Sequence, residues 1–136
     1  MPGLLGQDEF LRVAGPALEI EDVDGAEVLI VHEWGGLTRF ASSAIHQSTW
    51  REDTGLRVRV VKDGRVGVAA TNEFTEAGAR RVAESAREMV RVVGPDPSFA
   101  GFAAEEPVAD RDGFHEATAS ASPEERIGRA SCRERV

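Results

Sequence analysis

The sequence predicts an α+β domain: a four-stranded antiparallel meander covered by one amphipathic helix, about 75–93, and preceded by a short N-terminal helix or helices. Three observations predict it. Gly35-Gly36 and Asp63-Gly64 are two-residue loops suited to the positive φ that primed hairpin turns demand. Short apolar runs flank them, and Leu56 to Lys62 alternates most cleanly. A single stripe at helical spacing then follows: Ala79, Val82, Ala83, Ala86, Met89, Val90 and Val93.

Taken in order, Gln7 to Ala14 reads as a short helix with Phe10, Leu11 and Ala14 on one face. Gly15-Pro16 ends it, and Pro16 to Glu21 opens a second. Asp22 to Gly25 is a turn. Ala26 to Trp34 is the first strand. Val28 and Ile30 on one face, with Leu29 and Val31 on the other, predict a central strand or one covered on both sides. Gly35-Gly36 turns the chain into a second strand from Leu37 to about Arg51, with a bulge at Ser42-Ser43. Glu52 to Gly55 is the next turn, formed by Asp53 and Gly55. In the third strand Leu56, Val58 and Val60 point one way, and Arg57, Arg59 and Val61 the other. Beyond Asp63-Gly64, Val66, Val68 and Ala70 form the returning face. Thr75 caps the helix, with Glu76 in its first turn, and Gly94-Pro95 stops it. Phe99 and Phe102 pin the following segment back onto the domain. Residues 103–126 read as a linker, and Ser122-Pro123-Glu124-Glu125 opens another helix.

Composition bounds the function. One small domain fits in 136 residues, and its core must come from Val, Leu, Ile and Ala because Tyr is absent and aromatics are 6%. The formal net charge of −8 argues against a nucleic-acid backbone as partner, since that needs clustered Lys and Arg. No apolar run reaches bilayer length, and the first residues lack the pattern of a signal peptide. The expectation is a soluble cytoplasmic protein without membrane partners.

The end of the sequence has a different origin. Ile127 to Val136 can be written in codons as ATCGGAAGAGCGTCGTGTAGGGAAAGAGTG, which matches a common short-read sequencing adapter. Residues 127–136 are therefore read as an artefactual tail, with the natural chain continuing past Arg126. Removing its three arginines and one glutamate takes the net charge from −8 to −10. Cys132, the single cysteine, lies in this tail, so no disulfide or thiolate site is expected.

A search for chemistry finds little. His32-Glu33 is followed by Gly36 and Leu37 where a zinc-peptidase helix needs its second His, and His115-Glu116 by Ala119 and Ser120. His46 has only Gln47 beside it. Ser42 and Ser43 lack a nucleophile elbow, and Gly64-Arg65-Val66-Gly67 leads into a strand with no phosphate-cradling helix behind it. No catalytic, metal or cofactor residue is assigned. Arg57, Arg59 and Arg65 read as solvent-facing or, more sharply, as a face that meets a second domain or an extended peptide.

The order of several short stretches is more specific than any one of them. Ala26-Glu27-Val28, Leu37-Thr38-Arg39-Phe40-Ala41, Ile45-His46-Gln47, Arg57-Val58-Arg59-Val60 and Gly64-Arg65-Val66-Gly67-Val68-Ala69-Ala70-Thr71-Asn72 together resemble the N-terminal domain of the TldD/PmbA zinc metallopeptidases, also called modulators of DNA gyrase. Pro97 to Phe102 is similar to the family's segment after the helix. Ser42-Ser43 departs from the Asn frequent there, and Gly15-Pro16 from a continuous lead-in helix. The resemblance implies residues 1–102 as a non-catalytic N-terminal domain that helps wall a cleft for unfolded peptides. It implies zinc on a His-Glu-x-x-x-His helix in a C-terminal half not contained here, so this piece alone is expected to be inactive. Implied partners are that C-terminal domain, a homo- or heterodimeric TldD/PmbA-type subunit, and a peptide substrate. The alternative is a stand-alone peptide- or protein-binding module.

Overall fold

A computed structural model describes residues 5–42, 44–104, 106–109 and 113–131. Its elements are α1 (Gln7–Leu18), β1 (Gly25–Ala41), β2 (Ala44–Lys62), β3 (Arg65–Thr71), α2 (Glu76–Val92), α3 (Glu116–Ala119) and α4 (Pro123–Ser131). The fold is α+β, but its sheet has three strands in the order β1-β2-β3, where the sequence predicts four.

The difference lies in where the chain turns. Gly35-Gly36 continues through β1, and Glu52 to Gly55 through β2. The chain reverses instead at Ser42, with φ 51°, where a bulge was expected; Ser43 lies outside the described residues. A glycine pair permits positive φ without requiring it. Cross-strand pairs decide the register: His32 with Thr54, Thr38 with Ser48, and Arg39 with Gln47 step one for one toward the turn. The strand order also makes β1 an edge strand, against the first of the two expectations for it, a central strand.

The chain divides into two compact units. Among the described residues, the first holds 5–32 and 53–104, and the second holds 33–42, 44–52, 106–109 and 113–131.

In the first unit, Leu56, Val58 and Val60 of β2 are buried beneath Ala79, Val82, Ala83, Ala86 and Val90 of α2. This is the alternation and the stripe read from the sequence. The two-residue turn at Asp63-Gly64, both with positive φ, pairs Val60 with Gly67, Val58 with Ala69 and Leu56 with Thr71. The core face of β3 is therefore Gly67, Ala69 and Thr71. Val66, Val68 and Ala70 lie on the opposite face with Arg57 and Arg59, the reverse of the expected phase. Small residues are needed under the helix: a Cβ at Gly67 would run into the Ala86 carbonyl oxygen and sit 2.8 Å from a Val90 methyl.

The first helix also departs from expectation. It continues through Gly15-Pro16 as one helix to Leu18. Pro16 costs a backbone hydrogen bond, but Val13 and Ala17 are fully buried in the core only if the helix is unbroken between them. Glu19 N–H donates to the Gly15 carbonyl and closes the last turn. Phe10 meets Phe74 edge-on at 5.9 Å. The start of α2 is as predicted, with Thr75 Oγ1 accepting the Gly78 N–H at 2.9 Å.

Past α2, Asp96 N–H donates to the Gly64 carbonyl, and Phe99 and Phe102 pack edge to face at 5.5 Å. The two rings pin this segment to the sheet as expected.

In the second unit, Trp34 and Trp50 stack at 5.1 Å, and the Arg126 guanidinium of α4 lies 4.5 Å over the Trp50 ring. Gly36 gives that guanidinium room, since a Cβ there would overlap it. A capping box opens α4: Ser122 Oγ accepts the Glu125 N–H at 3.2 Å, and the Glu125 carboxylate accepts the Ser122 N–H at 2.7 Å. The helix runs on to Ser131, and Cys132 with the rest of the expected tail lies outside the described residues.

Candidate functional site

The face of the sheet opposite α2 carries the candidate site. Odd-numbered residues of β1 and β2 point there, with even-numbered residues of β3. In the first unit this face holds a trough of about 590 Å³, lined by Leu29 and Val31 of β1, Asp53, Gly55 and Arg57 of β2, and Ala70 of β3. Thr71 and Asn72 also line it, so aliphatic and polar groups share its walls, and Leu29 is 51% and Val31 45% exposed. Apolar residues on both faces of β1 were legible in the sequence. Among the described residues no element covers this second face at Leu29 and Val31, the other expectation for β1.

The three arginines singled out in the sequence do not act as a group. Arg57 and Arg59 share the outer face, whereas Arg65 pairs with Lys62 at the hairpin end and takes the α2 side. Arg59 is engaged: its Nη2 donates to Glu27 Oε2 at 2.8 Å, and its guanidinium lies 5.8 Å from the Phe99 ring centre and 5.1 Å from that of Phe102. It anchors the segment after α2. Arg57 is exposed at the trough and has no ionic or hydrogen-bonding partner among the described residues. Of the two on the outer face, Arg57 is free to receive a ligand.

Sequence reading missed Gly55, which it took for a turn former. Gly55 lies inside β2 and forms the floor of the trough, with nothing within 4 Å of where a Cβ would stand. A glycine carries no hydrophobic signal, so a notch made by its missing side chain is invisible until the strand is traced.

A second, polar hollow lies between α1 and α2, but its cations already have acidic partners. Arg80 is 4.0 Å from Glu19, and Arg87 is 2.7 Å from Glu84. Shifted titrations likewise sit at structural pairs. A hydrogen bond and the charge of Lys62 hold the Asp22 carboxyl below its ordinary value, and Asp22 raises Lys62 in turn. Arg81, with help from Thr75, lowers Glu73. The Ser98 hydroxyl and N–H lower Asp96.

The histidines do not converge. His32 Nδ1 is 2.8 Å from Thr54 Oγ1, His46 is exposed on β2, and His115 precedes α3. Among the described residues no group of three or more His, Cys, Asp or Glu is placed to hold a metal ion. This donor set does not fit a zinc site. Among the described residues no helix is long and apolar enough to cross a membrane.

Comparison with known proteins gives three results. Residues 26–90 match the family model described as PmbA/TldA metallopeptidase domain 1. The fold is similar to the crystal structure of TldE from Thermococcus kodakarensis, with a TM-score of 0.69 and 16% identity over 93% of this chain. The chain spans 29% of the length of that structure's chain. No curated protein matches. Residues 26–90 are thus similar to the first domain of the PmbA/TldA metallopeptidase family, and the fold is similar to that of the TldE structure.

Proposed function

We propose that this chain is the non-catalytic N-terminal domain of a cytoplasmic, TldD/PmbA-type zinc peptidase acting on unfolded peptides. The observation that carries the reading is the match of residues 26–90 to the first domain of that family. In this reading the metal and the hydrolytic step belong to a C-terminal half. The residues of this chain wall the cleft and hold the substrate's backbone extended, and Arg57 contributes a fixed positive charge at the rim. The paired subunit is of TldD or TldE type, which the likeness to a TldE structure supports.

Sequencing the genomic locus beyond codon 126 tests this. The expected frame continues into a His-Glu-x-x-x-His helix or a degenerate copy of that half. A stop codon soon after 126 would remove the reading and leave a stand-alone binding module. The purified 136-residue chain is expected to leave casein uncleaved with or without added zinc. Zinc-dependent cleavage would place the active site in this domain instead.

A further inference from the structure

We propose that the trough over Gly55 receives an apolar side chain of an extended polypeptide bound in trans, and that an acidic residue two positions away in that polypeptide pairs with Arg57. This deepens, and rests on, the reading of the domain as a substrate-holding wall.

Three observations converge on it. First, Gly55 opens a notch in the sheet face between Val31 and Asn72, with Leu29 and Ala70 beside Arg57 next to it. Its volume of about 590 Å³ falls within the range of ligand-binding clefts. Second, the charge at its rim is unmatched. The chain carries 24 acidic residues against 16 basic ones, yet no described carboxylate reaches Arg57. Arg59, two residues on, has Glu27 and two phenylalanine rings. Asp53, at the other end of the trough, is already engaged elsewhere. A guanidinium beside aliphatic walls pairs with a carboxylate more strongly than one in open water, because the walls lower the local dielectric. Third, the spacing selects a motif. Gly55 and Arg57 are alternate residues of one strand, about 7 Å apart on the same face. An extended peptide running along β2 repeats its side chains on one face at the same interval, so the occupant reads apolar-x-acidic.

The test uses the 136-residue chain and dye-labelled Gly-Ser peptides containing Leu-Ser-Glu, Leu-Ser-Lys or Ser-Ser-Glu, read by fluorescence anisotropy. Leu-Ser-Glu is expected to bind at least about tenfold more tightly than either control, a difference one charge-assisted pair or one buried leucine supplies. Gly55→Val fills the notch, meets open space, and is expected to abolish this binding while leaving the circular dichroism melt unchanged. Arg57→Gln is expected to bring Leu-Ser-Glu down to the Leu-Ser-Lys level. Equal affinity for the glutamate and lysine peptides overturns the proposal, as does undiminished binding by a folded Gly55→Val chain. Self-association of the chain that Gly55→Val removes also overturns it, because the occupant would then be a second copy. A trough that binds no peptide, on a gene that does encode the metal-binding half, sinks this inference alone. Binding without such a half sinks the peptidase reading alone.

Discussion

Gly67 sets how closely α2 can lie on the sheet. The helix backbone at Ala86 and the Val90 methyl occupy the space a side chain would need, and backbone cannot swing aside. Gly67→Ala is expected to cost about 3 kcal/mol in urea denaturation, as overpacking of a rigid contact does. Gly94→Ala serves as the control, since its Cβ would meet nothing, and is expected to stay within about 0.5 kcal/mol. At this scale the sequence was only half legible. The buried alternation of Leu56, Val58 and Val60 followed from strand periodicity, and the Thr75 cap from residue chemistry. The partner face did not follow, because Val66, Val68 and Ala70 look more core-like than Gly67, Ala69 and Thr71. A helix packed at backbone distance reverses that preference.

At the scale of elements, the long hairpin shows local propensity yielding to pairing. Gly35-Gly36 has the better turn composition, yet Ser42 takes the positive φ. Ser42→Gly relieves a left-handed serine and is expected to raise stability by about 1 kcal/mol in the same denaturation assay. Gly35→Val adds a strand-forming side chain in open space and is expected to leave the fold and the Trp34–Trp50 near-ultraviolet signal intact. Loss of structure in Gly35→Val would restore the turn at the glycines. The same contest explains α1, where a proline that reads as a break is carried inside a helix. Its neighbours Val13 and Ala17 are both needed in one core, and no local rule counts that burial.

Across the whole molecule, the shifted carboxyls predict the pH response. Asp22, Glu73 and Asp96 are each held below their ordinary values, so folding favours their ionised forms. Their stabilisation is present above the ordinary carboxyl range and is lost as pH falls through the depressed values. Lys62 acts at the other extreme. Its raised value gives a contribution that is full below the ordinary lysine range and is lost only as pH rises through the raised one. The urea midpoint is expected to be level from about pH 8 to 5 and to decline below that, less steeply in Asp96→Asn. An acid-insensitive midpoint would contradict these pairs. The fold class and the family pattern were readable at this scale because they rest on the order of many weak signals. The trough was not, because it is made by a side chain that is missing.

The packing of Phe102 bears on how this domain is connected. A Cβ on Gly25 would stand 2.9 Å from the Phe102 ring, so the first residue of β1 touches the last aromatic anchor after α2. The path from 25 to 102 is thus a closed excursion that starts and finishes at one corner. Such a span could be grafted into a surface loop of a host without stretching either end, provided α1 is supplied beside it, because Val13 and Ala17 fill the same core.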